Sequence, residues 1–87
     1  MAHPAQFGCP VKRSVTIAGH ETSVSLEPMF WASLEQAAEE QATPLSALIG
    51  RIDAERLDAA TPPNLASALR QWLFARATGR VSKLAGE

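Results

Sequence analysis

Thr22-Ser23-Val24-Ser25-Leu26, followed at once by Glu27-Pro28 and then Phe30-Trp31, is the stretch that decides the fold. Successive side chains of a strand point to opposite faces, which puts Thr22, Val24 and Leu26 on one side and Glu21, Ser23 and Ser25 on the other. The second row is short and polar. A lone strand cannot bury its apolar face and leaves two backbone edges unpaired, so this segment requires a partner strand.

Upstream, Ser14-Val15-Thr16-Ile17 alternates in the same way and is the other strand candidate. With Gly19-His20 as a two-residue turn that takes glycine first, Ile17 falls opposite Thr22, Thr16 opposite Ser23 and Val15 opposite Val24. That register keeps the aliphatic residues on one face, as a half-buried sheet requires. Residues 1–11 hold two prolines and a glycine with no apolar period, and read as a flexible arm.

Downstream, a helix is expected from Glu27 or Pro28, because proline suits the first helical position and an acid there meets the positive end of the helix dipole. Phe30, Trp31, Leu34, Ala37 and Ala38 form its apolar stripe, with Glu35, Gln36, Glu39 and Glu40 facing water. Thr43-Pro44 opens a second helix, with Thr43 as cap, Pro44 as first residue and Leu45, Leu48, Ile49 and Ile52 as its stripe. Thr61-Pro62-Pro63 stops it near Leu57, and Asn64 caps a third helix whose apolar face is Leu65, Ala68, Leu69, Trp72 and Leu73, ending at Gly79. The expected core is Val15, Ile17, Val24, Leu26, Phe30, Trp31, Leu34, Leu45, Leu48, Ile49, Ile52, Leu69, Trp72 and Leu73. The tail from 79 to 87 reads as frayed.

At 87 residues the chain makes one domain with a thin core, a size at which dimerisation is a common remedy. It has no run approaching the ~20 apolar residues of a membrane span and no signal-peptide layout, so a cytosolic protein is expected. Cys9 is the single cysteine, which excludes a disulfide within one chain. The formal net charge is -1, but its distribution is uneven. Lys12 and Arg13 stand near the start without acids, residues 21–58 carry eight acids against Arg51 and Arg56, and Arg70, Arg76, Arg80 and Lys83 follow against Glu87. Phosphate contacts are therefore expected from the arm and the third helix.

The run from Lys12-Arg13-Ser14-Val15-Thr16-Ile17-Ala18-Gly19-His20 through Thr22-Ser23-Val24-Ser25-Leu26-Glu27 to Phe30-Trp31 resembles the ribbon-helix-helix family. With Leu45-Ser46-Ala47-Leu48 and Asn64-Leu65-Ala66-Ser67-Ala68-Leu69-Arg70, it looks like a small bacterial subfamily with an extra N-terminal strand segment and a third helix. The resemblance covers residues 12–78. It implies a mostly helical α+β fold, assembled as a homodimer whose two chains share an antiparallel β-ribbon, with Val24, Leu26, Phe30, Trp31, Leu34, Leu48, Ile49 and Ile52 in the dimer core.

The same resemblance implies a transcriptional regulator that lays the ribbon in the major groove of double-stranded DNA, with Glu21, Ser23 and Ser25 facing the bases. Hydroxyls read several bases, whereas the Glu21 carboxylate accepts only from cytosine. The start of the second helix, Thr43, Leu45 and Ser46, is the implied phosphate clamp, with Lys12 and Arg13 as arm contacts. If both subunits kept the N-terminal hairpin, four strands would exceed the groove, so either the arm peels away or the sheet has another role. The competing reading is a protein-interaction or antitoxin-like module that binds a protein through the third helix, using Trp72, Phe74 and Arg76.

Other chemistries find little support. His3, His20 and Cys9 lack Cys-x-x-Cys or His-x-x-x-His spacing, so no metal or cofactor is expected. No nucleophile elbow, glycine-rich phosphate loop or paired-carboxylate motif is present, and an enzyme is not expected.

Overall fold

The computed structural model describes residues 7–79; His3, Arg80, Lys83 and most of the expected arm and tail lie outside them. The elements run β1 (Val11–Ile17), β2 (His20–Leu26), α1 (Pro28–Glu40), α2 (Leu45–Leu57) and α3 (Leu65–Thr78). This is the expected mostly helical α+β class, with a two-stranded antiparallel sheet formed by β1 and β2 of the same chain.

The hairpin register differs from the expected one by two residues. Ile17 pairs with His20, Val15 with Thr22, Arg13 with Val24 and Val11 with Leu26, so the turn is Ala18-Gly19 rather than Gly19-His20. Both turn residues have positive φ, 53° at Ala18 and 81° at Gly19. That is the turn type whose twist matches the right-handed twist of the strands it joins. The expected register would have set Val11 against Pro28, which has no N–H to give a ladder. The observed one completes every pair before the proline. Because a slip of two keeps each side chain on its own face, Val15, Val24 and Leu26 still point into the core.

α1 begins as expected, with Glu27 at the cap position and Pro28 in the first turn. It ends through two backbone bonds, from Ala42 N–H to Glu39 O at 3.0 Å and from Thr43 N–H to Ala38 O at 3.0 Å, with Ala42 left-handed at φ 52°. This terminating motif usually employs glycine. The expected cap of α2 moves by one residue: Pro44, not Thr43, is the cap, and Leu45 is the first helical residue. The Thr43 amide is already engaged in closing α1. α3 starts where Asn64 Oδ1 accepts from the Ser67 amide at 2.8 Å, and ends at left-handed Gly79.

The three helices pack on one another, and the hairpin lies over them with β1 against α2 and β2 against α3. Leu26, Trp31, Leu34, Leu48, Ile49, Ile52 and Leu69 are fully enclosed, and Ile17, Phe30, Leu45, Leu65 and Trp72 pack at the margin. Burying a side chain of this size contributes about 1.5–3 kcal/mol, against about 0.2–1 kcal/mol for an exposed ion pair. The apolar centre therefore decides the stability. All the residues expected at a dimer core except half-buried Phe30, namely Val24, Leu26, Trp31, Leu34, Leu48, Ile49 and Ile52, are at most 3% exposed within the single chain. Each is already enclosed by its own chain.

Candidate nucleic-acid interface

Alternation along the paired strands divides the hairpin into two faces. The outer one presents Lys12, Ser14 and Thr16 from β1 beside Ser25, Ser23 and Glu21 from β2, matched pair by pair in that order. All are exposed except Ser25, which is half-buried. None of these side chains hydrogen-bonds to another described residue. Lys12 is also, among the described residues, the one lysine or arginine without an acidic or amide partner: Arg13, Arg56, Arg70 and Arg76 hold carboxylates, and Arg51 holds Gln41. An uncommitted hydroxyl face with a cation at one end is chemically suited to base edges and a phosphate.

Arg13 does not belong to that face. It shares the core-facing side of β1 with Val15, where its guanidinium lies 4.5 Å from the Trp31 ring centroid and its Nη1 donates to Glu35 Oε2 at 2.9 Å. Trp31 in turn donates its indole Nε1–H to the Val11 carbonyl at 2.9 Å. Stacking and a hydrogen bond converge on one indole, and the ion pair to Glu35 adds a further tie, so β1 is anchored to α1 rather than hanging as an arm. The sequence carried a signal for this, because Arg13 is in phase with Val15 and Ile17.

A Cβ added to Gly19 would meet nothing within 4 Å, while Ile17, the residue just before the turn, packs against the core and approaches to 3.9 Å from where a Cβ of Gly50 on α2 would be. Only the turn itself is open; the strand end beside it is seated on α2.

At the start of α2, Pro44 and Ser46 are exposed, Thr43 is half-buried, and no side chain caps the helix. The first-turn amides of Leu45 and Ser46 therefore remain for an anion, as at any uncapped N-terminus. Thr43 can add only its hydroxyl, its amide being bound to Ala38.

Two ion pairs that the linear sequence did not show fix α3 against α1. Arg70 donates to Glu27 Oε1 through Nε at 3.2 Å and Nη2 at 3.1 Å, with its guanidinium 5.7 Å from the Phe30 ring centroid. Arg76 pairs with Glu40 and lies 5.7 Å from the Trp72 ring centroid. The two pairs tie α3 to both ends of α1. The Glu27 carboxyl titrates below the ordinary carboxylate range. Its own backbone N–H is the main cause and Arg70 adds to it, against partial desolvation that works the other way. These arginines, expected as phosphate contacts, are committed to α1. Between the two helices, Phe30, Ser33 and Ala37 face Leu73, Phe74 and Ala77 across an open groove of about 520 Å³.

No group of three or more histidine, cysteine or acidic residues is placed to hold a metal among the described residues. No helix among them is long and apolar enough to cross a membrane. A family model described as a ribbon-helix-helix domain matches residues 10–77. No curated protein and no solved structure matches the chain.

Proposed function

The chain belongs to the ribbon-helix-helix family, and from that premise we propose that it is a homodimeric DNA-binding transcriptional regulator that lays a β-ribbon in the major groove. The observation that carries this reading is the outer face of the hairpin, where Ser23 and Ser25 offer hydroxyls bonded to no other described residue and Lys12 offers a charge with no acidic partner among them. Ser23 and Ser25 read base edges. Glu21, nearest the turn, selects against phosphate and accepts from a cytosine amino group. Lys12 contacts a phosphate, and the uncapped start of α2, with the Leu45 and Ser46 amides and the Thr43 and Ser46 hydroxyls, clamps another. Arg13 supports β1 and takes no part in contact.

The inserted unit is two strands wide. Two hairpins joined edge to edge would place their outer strands about 14 Å apart at ~4.8 Å spacing, too broad for a groove about 12 Å wide.

Selection from random duplex DNA at low and moderate salt tests the proposal. An enriched sequence should emerge, with affinity falling as salt rises. Lys12→Ala should weaken binding to all duplexes and flatten the salt slope by about one, while Ser25→Ala should change the preferred bases. Absence of salt-dependent duplex binding overturns the reading. It would favour a protein-interaction module instead, for which the open groove beside α3, lined by Phe30, Leu73 and Phe74, is the supporting observation.

A further inference from the structure

We propose that β1 is a flanking strand on DNA: while the β2 strands of two copies enter the major groove together, β1 of each copy stays paired to its own β2 and sets Lys12, Ser14 and Thr16 against the phosphates of the groove wall. This rests on the homodimeric DNA-binding reading and deepens it. It makes Ser14 and Thr16 phosphate contacts, which fix the position of the shared ribbon without reading sequence.

The topology permits both pairings at once. β2 is bonded to β1 along one edge, and no other strand lies beside it among the described residues. Because a strand has two hydrogen-bonding edges, the open edge of β2 can take the β2 of another copy while β1 keeps its place. The strand order across the two copies is then β1-β2-β2-β1.

Spacing decides where each strand falls. At ~4.8 Å between neighbours the central pair fits inside a groove about 12 Å wide, whereas the outer strands, about 14 Å apart, lie roughly 1 Å beyond each wall. Those walls are the phosphate backbones. β1 is held in that outer place by its own chain: the Val11 carbonyl accepts from Trp31, and Arg13 stacks on the Trp31 ring and pairs with Glu35. The segment leading into β1 runs so close to the start of α1 that a Cβ on Gly8 would come within 2.9 Å of Pro28 Cγ.

The side chains match these positions. On the outer face β1 presents a cation and two hydroxyls with no acid, all exposed, whereas β2 presents Glu21 with Ser23 and Ser25. Lysine and hydroxyl groups donate to phosphate oxygens. A carboxylate is repelled there, but between bases it can accept from cytosine. The outer edge of β1 adds backbone N–H groups with no strand to pair them, and these too suit phosphate oxygens.

The test is selection from random duplexes, then affinity against salt, with the full chain and with Ser14→Ala, Thr16→Val, Ser14→Lys and Ser23→Ala, whose sites are exposed and whose melting should match the parent. Ser14→Ala and Thr16→Val should keep the parental base preference and weaken binding to every duplex alike, by about twofold to tenfold, while Ser23→Ala changes the preferred bases. Ser14→Lys should tighten binding to every duplex and steepen the salt slope by about two per dimer, one for each copy. A changed base preference in Ser14→Ala or Thr16→Val means that β1 lies inside the groove, and an unchanged slope in Ser14→Lys means that it lies off the DNA. Either result overturns the inference and leaves the DNA-binding reading standing; if the parent selects nothing, both fail. A second measurement combines Ser14→Cys with Ser23→Cys, directly opposite each other, in a Cys9→Ser background, so that oxidation locks β1 to its own β2. The protein with this bond within each chain should bind duplex DNA as tightly as its reduced form. Binding lost on oxidation and regained on reduction means that β1 must leave the sheet, and overturns the inference.

Discussion

The indole Nε1–H of Trp31 donates to the carbonyl of Val11 at 2.9 Å, joining the first residue of β1 to the first turn of α1 across 20 residues of chain. The same ring carries Arg13 on its face. One side chain therefore fills the core, satisfies a strand carbonyl and seats a charge. Trp31→Phe keeps most of the apolar volume but loses the bond, and should destabilise the fold by about 0.5–1.5 kcal/mol in chemical denaturation. Amide exchange should accelerate at the start of β1 more than in α2.

The turn residue Ala18 is left-handed, at φ 53°, beside Gly19 at 81°. Asparagine tolerates that conformation far better than alanine, and Asn-Gly is the preferred pair in such a turn. Ala18→Asn should stabilise the fold by about 0.5–1 kcal/mol, read as a raised denaturation midpoint with an unchanged slope.

Ala42 closes α1 in the same strained region, at φ 52°. Ala42→Gly removes the Cβ clash, while costing some entropy in the unfolded chain. Because a non-glycine residue is strained there by about 1–2 kcal/mol, the net effect should be stabilising by up to about 1 kcal/mol. A lower melting temperature would show that Ala42 makes a contact that outweighs its backbone.

Glu27 has a folded pKa below its ordinary value of 4.5. The unfolded state therefore binds the proton more readily, and stability rises with pH through this window. The contribution of Glu27 is fully present above about pH 4.5 and is lost as pH falls through the lowered folded value. Glu27→Gln should reduce stability at pH 6 and flatten the acid limb as pH falls below the ordinary value of 4.5, measured as denaturation midpoint against pH. Arg70→Met should do the same in part, because the Glu27 backbone N–H still favours the carboxylate.

Much of the architecture was written locally. The alternation through Val15 and Ile17 and through Val24 and Leu26 specified two strands with one buried face. The stripes Trp31, Leu34, Ala37 and Leu48, Ile49, Ile52 specified helices, and Asn64 and Gly79 marked the ends of the third. These signals depend only on residues a few positions apart, so they survive any arrangement of the elements. The polar faces of the strands were legible for the same reason, and with them the candidate readers Ser23 and Ser25.

The register was not legible, because a shift of two residues leaves every side chain on its own face and the apolar pattern cannot distinguish the choices. Backbone geometry decided it, through the twist of the Ala18-Gly19 turn and the need to finish pairing before Pro28. Nor could the chain show that Arg13 would stack on Trp31, or that Arg70 would reach Glu27, 43 residues away. The sequence by itself determined the elements, their inward faces and most of their caps; only the tertiary structure decided which of the described cations are committed to the fold and which one among them, Lys12, has no acidic or amide partner. Periodicity is a property of neighbours, whereas the pairing of distant charges exists only once packing has brought them together.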